Sequence, residues 1–286
     1  MRERAQAFDP RQTMRRTDFE IFHYKNRKQT NVAVHHHDFY EVYFFLNGSV
    51  EYRIEGQIFR LQPGDLLLLH PMELHQANVE TEGGEYERIV LWIDKGFLDG
   101  FCHGEDSLIR CFDRSLPTHS NILRPTPAQR TELTMLLGEL VRERYSDEYA
   151  SDAYATGVLL QFMAEINRMA LQSKRREAKE EGSGLIAQVL EYISQHYDEE
   201  LSLEDLAQRF YVSKYHLSHE FSRLVGTSLY RYVMLKRLLI ARQMLAGGEA
   251  PGSVCIKCGF GDYANFYRAF KAQYGISPKD CAPGKG

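Results

Sequence analysis

No stretch of this chain approaches the ~18 consecutive apolar residues that a membrane-spanning helix needs. Apolar runs such as Leu66-Leu67-Leu68-Leu69 and Ile89-Val90-Leu91-Trp92-Ile93 are far shorter than that, so a bilayer is not an expected partner. Cysteine is scarce and odd in number, five in 286 residues, which argues against a disulfide framework. Residues 1–16 alternate charged and polar side chains with no apolar core of a leader, so secretion is not expected and the cytoplasm is the predicted compartment. A charge excess is also missing: the formal net charge is −4, which taken whole speaks against a polyanion. What is present is ordinary for a folded chain, 43% hydrophobic and 26% charged residues, at a length that favours two domains.

The charge is unevenly spread. From Arg209 onward twelve basic residues face only four acids, Glu220, Glu249, Asp262 and Asp280. Screening confines a charge to about 10 Å, so this local excess matters more to a nucleic acid than the sum over the chain.

Three patterns divide the sequence. Residues 19–94 read as short strands separated by turns: 41–46 closing at Asn47-Gly48, 50–54 at Glu55-Gly56, 57–61 at Pro63-Gly64, then 66–69 and 88–93. Asn-Gly is a strong hairpin signal, and many short strands at 8–12-residue spacing indicate a β barrel or sandwich. From Pro127 to Leu171 the period becomes helical, with one stripe of Leu133, Leu136, Leu137, Leu140 and Val141 and another of Val158, Leu159, Phe162 and Ile166; an αα-hairpin would bury both. Residues 173–184 contain no large apolar side chain and end in Gly-Ser-Gly, the composition of a linker. The expected organisation is therefore a mobile arm (1–18), a β domain (19–125), a helical hairpin suited to dimerisation (126–172), a linker (173–184) and an all-helical domain (185–286).

The helical domain carries a repeated motif. Ser202 is a good N-cap for a short helix containing Leu206 and Ala207; after Phe210-Tyr211-Val212, Ser213 caps a second helix with the stripe Leu217, Phe221, Leu224. A short helix, a turn and a capped second helix is the helix-turn-helix pattern. It recurs with Val254, Cys255 and Ile256, the turn Gly259-Phe260-Gly261, and a second helix capped by Asp262 with Phe266 and Phe270; aligning Phe221 with Phe270 sets the repeat at 49 residues. Between the copies, residues 228–245 form one amphipathic helix, roughly 27 Å long at ~1.5 Å per residue. Such a rod suits two recognition helices entering successive major-groove faces about 34 Å apart.

Residues 203–278 resemble the DNA-binding domain of the AraC/XylS family. The resemblance rests on Leu206-Ala207, on Ser213, Leu217 and Phe221, on Arg237 and Ala241, and on Gly259, Phe260, Asp262, Phe266, Phe270 and Lys271, closed by Gly275 and Pro278. Pro251, where the family usually has an aliphatic residue, and Cys255, in the usual Ala slot, depart from the pattern. By position in that family, Tyr215, Ser218 and His219 on the first recognition helix and Tyr263, Ala264, Tyr267 and Arg268 on the second are expected to read bases. Arg268 can pair bidentately with guanine. Ser213, Lys214, Arg223, Asp262 and Lys271, with the backbone amides of both helix starts, are the expected phosphate contacts.

The β region holds an internal run, His35-His36-His37. On a strand His35 and His37 would share one face. His35-x-His37-x3-Glu41-x6-Gly48 is similar to the first cupin motif, and Pro63-Gly64-Asp65 through Pro71 and His75 resembles the second, one residue short before the His and with Glu73 in a usual Gly slot. The implied fold class is thus two-domain: an all-β cupin-like barrel with an appended αα-hairpin, then an all-α domain with two helix-turn-helix motifs. His35, His37, Glu41, Tyr43, Arg53, His75 and Trp92 are the expected effector contacts, with Trp92 able to stack on a sugar face. Imidazoles and a carboxylate also suit a metal, so His35, His37, Glu41 and His75 have three readings: polar groups of an organic pocket, which is favoured, braced structural side chains, or metal ligands. No cofactor is expected. A lone Cys255-x2-Cys258 reads as buried thiols before zinc ligands.

The resemblance implies a homodimeric transcription regulator, an activator rather than an enzyme, whose partners are double-stranded DNA, RNA polymerase and a small metabolite of sugar type. Two other readings stay open from residues alone: a cupin metalloenzyme with an accessory DNA-binding tail, and a constitutive DNA-binding regulator whose β domain only dimerises.

Overall fold

The computed structural model describes residues 12–26, 32–79, 84–101, 107–116, 119–172 and 184–281. Most of the expected arm (1–11) and nearly all of the expected linker (173–183) lie outside the described residues. The chain forms two compact units, one of the strands and the helical hairpin and one of the helices that follow, with residues 55–58 grouped with the second.

The first unit contains β1 (Phe19–Asn26), β2 (Tyr40–Asn47), β3 (Val50–Ile54), β4 (Gln57–Arg60), β5 (Leu66–Leu69), β6 (His75–Val79), β7 (Tyr86–Ile93) and β8 (Ile122–Leu123), followed by α1 (Pro127–Arg144) and α2 (Ser151–Gln172). One sheet runs β1-β7-β2-β5-β8 and the other β4-β3-β6. Successive side chains on a strand point to opposite faces, and the larger sheet is apolar on both. Leu66 and Leu68, Val42 and Phe44, and Leu91 and Ile93 join one core with the buried stripes of α1 and α2. Leu67 and Leu69, Tyr43 and Phe45, and Val90 and Trp92 join a second core with Tyr52, Ile54 and Val79 of the smaller sheet. The Leu66–Leu69 run is continuous because this strand is covered twice.

Sheet topology corrects one expectation. Asn47-Gly48 does not close a hairpin: β2 pairs with β5 and β7, whereas β3 pairs in the other sheet. Both edges of β2 are already occupied, so the turn passes the chain between sheets, with Gly48 at φ +120°. Glu55-Gly56 does close a hairpin between β3 and β4. Both of its residues have positive φ, 44° and 78°, as a type I′ turn requires.

Helix starts follow local chemistry. Thr126 and Gln129 form a reciprocal capping box with Pro127 in the first turn of α1, the arrangement that satisfies two orphan amides at once. Deep in the hairpin, Asn167 of α2 donates to the carbonyls of Leu108 and Met163 and accepts from Cys111 N. Both amide N–H groups and the side-chain oxygen thereby have partners in the buried position.

The second unit consists of α3 (Gly184–Gln195), α4 (Leu203–Arg209), α5 (Lys214–Val225), α6 (Leu229–Ala246), α7 (Pro251–Lys257) and α8 (Tyr263–Tyr274). Ser202, Ser213, Ser228 and Asp262 cap α4, α5, α6 and α8 through their side chains. Gly226 and Gly275, at φ 80° and 72°, end α5 and α8 in the left-handed region. α7 begins on Pro251 after Ala250, which gives it no side-chain cap; proline at this position needs no amide partner, so the departure from the family pattern is compatible with the helix.

The internal repeat has two registers. In the turns, Val212 N bonds Ala207 O and Phe260 N bonds Cys255 O, a spacing of 48, whereas the caps Ser213 and Asp262 are 49 apart. The extra residue is Gly261, which lengthens the second turn by one. Cys255 and Cys258 are buried with Val254, Phe260, Phe266 and Phe270. Burial pushes the Cys258 thiol up to about 12, so these sulfurs behave as small apolar fillers. Among the described residues no helix is long and apolar enough to cross a membrane.

One wedge organises this unit. Arg237 of α6 donates from Nε to Tyr197 O and from Nη2 to Glu199 O, at 2.7 and 2.6 Å. The turn before α8 meets the same loop: a Cβ on Gly259 would lie 2.4 Å from Asp198 O, at a φ of +73°. Space and backbone conformation both demand glycine there. Gly259→Ala is expected to destabilise the second unit by more than about 1 kcal/mol, measurable by urea unfolding of the full chain followed by circular dichroism; an unchanged midpoint would remove this constraint.

Candidate nucleic-acid interface and barrel interior

On α5 the apolar stripe Leu217, Phe221, Leu224 is buried, which turns the remaining positions outward. Tyr215, Ser218 and His219 are exposed, and the Tyr215 ring is nearly parallel to His219 at 6.2 Å. On α8, Phe266 and Phe270 are buried, and Ala264, Tyr267, Arg268 and Lys271 form one exposed stripe at positions i, i+3, i+4 and i+7, with Tyr263 exposed at the helix start. Arg268 is braced along its own helix, donating from Nη2 to Asn265 Oδ1 and from Nε to Ala264 O.

The expected phosphate contacts are differently placed. Ser213 Oγ accepts from His216 N, and Asp262 accepts from Ala264 N and Asn265 N. Their side chains are therefore spent on capping, and what the helix starts offer an anion is backbone N–H. Lys214 Nζ lies 2.6 Å from Glu204 Oε1, and Arg223 makes a two-point contact with Glu220. These exposed pairs are weak and salt-screened, so a phosphate can displace the acid.

In the first unit, the alternation of β2 and β7 aims Glu41, Tyr43, Tyr86, Arg88 and Trp92 into the space between the sheets, since Tyr43, Tyr86, Val90 and Trp92 all belong to the inter-sheet core. Glu41 lies opposite Trp92 in register, and the indole Nε1 donates to Glu41 Oε2 at 2.8 Å. His37 Nε2 is 3.3 Å from the same oxygen. Burial alone would raise the Glu41 carboxyl, but its contacts with His37 and the Trp92 N–H outweigh it and hold the group below the usual range. Burial, reinforced by His35 and His37, drives His75 well below the usual imidazole value, and burial with His37 lowers His35 to about 4.

His35, His36 and His37 lie outside the named strands, with His35 in an isolated antiparallel bridge to His75. The shared-face expectation therefore fails in its reason but not in its result. His35 and His37 both approach His75, with ring centroids 4.3 and 4.9 Å away. Arg53 is a correction. On β3 the even positions Val50, Tyr52 and Ile54 face inward, and Arg53 points outward to Glu51 at 2.8 Å. It is on the wrong face for an interior ligand. Trp92 is flanked by Phe22 and Phe39 at 4.9 and 4.6 Å, so protein rings already occupy the space a stacked sugar would need.

Three interior residues were missed as site residues. Burial and the nearby Glu41 charge push the Tyr52 hydroxyl well above its usual value, Tyr86 hydrogen-bonds Tyr43, and the Arg88 guanidinium lies over the rings of Tyr24 and Tyr86, at 4.9 and 4.2 Å. The available signal was the two-residue period running back from Trp92 through Val90 to Arg88 and Tyr86.

The family model for the AraC-like ligand binding domain matches residues 19–163, just over half of the chain. The chain belongs to the AraC family. The model described as a helix-turn-helix domain matches residues 206–282. Among curated proteins, the HTH-type transcriptional activator RhaS of Salmonella schwarzengrund is 25% identical over 255 residues, 88% of this chain and 87% of that protein. RhaS of Citrobacter koseri is 24% identical over 259 residues, 90% of each. Among solved structures, an apo variant of ToxT from Vibrio cholerae aligns with 93% of this chain and 97% of its own, at 14% identity and a TM-score of 0.42. The DNA-binding domain of AdpA in complex with a target DNA covers 34% of this chain and 87% of its own, at 28% identity and a TM-score of 0.32. As an AraC-family member the chain is a DNA-binding regulator with a ligand-binding domain, not an enzyme.

Removing the indole donor tests the interior network. Trp92→Phe should cost about 1.5–3 kcal/mol of first-unit stability, the range for a hydrogen bond to a charged group. Equilibrium urea unfolding followed by circular dichroism reads it; a cost near zero would show that Glu41 finds another donor.

Proposed function

We propose that this AraC-family chain is a transcription activator that reads two adjacent major-groove segments with α5 and α8 and responds to a small polar metabolite of sugar type held between its sheets. The observation that carries the reading is the pair of capped helices, each burying one aromatic-containing stripe and presenting the opposite face to solvent. In this reading Tyr215, Ser218 and His219 on α5, and Tyr263, Ala264, Tyr267 and Arg268 on α8, approach base edges. Lys214, Arg223, Lys271 and the amides following Ser213 and Asp262 approach phosphates. The printed names of the RhaS relatives support activation, and activation brings RNA polymerase in as a partner.

The α1–α2 hairpin supplies the dimer contact in this reading. It leaves Met135, Tyr154 and Leu171 exposed, on the far side from the core that it shares with the larger sheet. A ligand can bias such a dimer only through its different affinity for two arrangements.

Selection of bound duplexes from a random pool by the full-length protein would define the operator. On it, Arg268→Ala should cost about 1–3 kcal/mol and relax specificity at one base pair. Lys271→Ala should weaken all duplexes alike and reduce the salt slope by about one. Anisotropy titrations at several salt concentrations measure both; an Arg268→Ala protein with parental specificity would remove Arg268 from the reading.

A further inference from the structure

The second unit contains a cavity of about 440 Å³, a size within the range of small-ligand sites. Tyr230, Met234 and Arg237 line it from α6, at positions i, i+4 and i+7, and Asn265, Arg268 and Ala269 line it from α8, at i, i+3 and i+4. Both spacings keep the side chains on one face of their helix. Gly259, Phe260 and Gly261 complete the lining. Gly261 is the residue that lengthens the second turn, and it brings no side chain into the space.

The lining has one sign of charge: it holds two guanidiniums and no carboxylate. Arg237 spends Nε and Nη2 on the carbonyls of Tyr197 and Glu199, which fixes its plane and leaves Nη1 for another acceptor. Burial lowers the Arg237 guanidinium from its usual value and the nearby Asp198 acts the other way, but a group that titrates so high keeps its charge at neutral pH. Arg268 is braced by neutral acceptors, Asn265 Oδ1 and Ala264 O. On the first repeat, by contrast, Lys214 and Arg223 are matched with Glu204 and Glu220. The remainder of the lining suits a ring. Phe260 is buried, Met234 is half-buried, and the Tyr230 ring is 75% exposed.

The structure assigns to this cavity a small phosphate monoester carrying a planar ring, with the phosphate on Arg237 and Arg268 and the ring against Tyr230, Met234 and Phe260. Such a phosphate carries a charge of about −1.5 to −2 at pH 7, which two guanidiniums balance, and its oxygens match the guanidinium fork. A planar ring gains offset or edge contact with aromatic side chains. The site lies wholly within the second unit and needs nothing from the space between the sheets. Arg268 also stands on the face proposed above to read bases, and on that reading a bound ester draws its guanidinium away from guanine, so ester and duplex compete.

Calorimetry of the full-length protein with phenyl phosphate tests the site, with inorganic phosphate and phenol as its two halves. One equivalent per chain is expected, bound at least about tenfold more tightly than inorganic phosphate because the ring buries apolar area; phenol alone should not bind. Met234→Glu, which adds a carboxylate to the lining, should weaken phenyl phosphate by at least about tenfold. Nitrogen NMR of arginine side chains in the parent protein keeps the test independent of variant folding: the Arg237 Nε–H, held on Tyr197 O, should shift as phenyl phosphate is added. No stoichiometric binding, equal affinity for phenyl phosphate and inorganic phosphate, or an unmoved Arg237 signal overturns the inference. The DNA backbone is the other source of phosphate for this cavity; Met234→Glu weakening every duplex while phenyl phosphate fails to bind would assign it there, against the inference. Operator binding on the same samples separates the two readings. Sequence-selective DNA binding without a phenyl phosphate site overturns only the site, and the site without such DNA binding overturns only the regulator. Duplex affinity unchanged at saturating phenyl phosphate overturns the shared use of Arg268, since coupling of two ligands is reciprocal.

Discussion

A sheet that is apolar on both faces must be covered twice, and the first unit follows from that requirement. The larger sheet takes the α1–α2 hairpin on one face and the smaller sheet on the other. Side-chain alternation then divides each strand between two roles. On β2, Val42 and Phe44 anchor the helices, while Glu41 and Tyr43 enter the space between the sheets. Polar groups can stand in that interior only when paired or hydrogen-bonded, which is why Glu41 gathers His37, Tyr52 and Trp92 around itself.

The second unit solves a different problem, how to hold short helices that could not persist alone. Each helix-turn-helix repeat buries a phenylalanine-containing stripe and fixes its second helix with a side-chain cap at one end and a left-handed glycine at the other. The loop at residues 197–199 is clasped by the Arg237 guanidinium and meets the Gly259 turn. The residues that carry the family resemblance thus divide into those that build the frame, such as Arg237 and Gly259, and those that the frame presents, such as Arg268 and Lys271.

Much of this was legible in the sequence because its signals are local. Ser213 and Asp262 announce their helices through a side-chain oxygen ahead of a helical period, and Leu66–Leu69 announces a doubly covered strand. What was not legible depended on partners distant in sequence. Asn47-Gly48 has hairpin chemistry, yet β2 has its edges filled by β5 and β7, so the turn serves a crossing between sheets. Strands β1 and β8 lack turn signals at both ends and become recognisable only through β7 and β5. Arg53 was expected among the effector contacts, yet it sits between inward-facing Tyr52 and Ile54 on β3 and turns the other way, because neighbours on a strand face opposite sides. Arg88 was passed over because an arginine does not look like an interior residue until Tyr24 and Tyr86 enclose it.

The chain has a single tryptophan, and it is the residue whose indole N–H is donated to Glu41. Intrinsic emission therefore comes from one defined point beside the histidines, with no second indole in the helical unit to dilute it. Anything that enters the space between the sheets and draws on Glu41 changes the field around that chromophore. The protein carries its own optical probe of that interior, readable without a label.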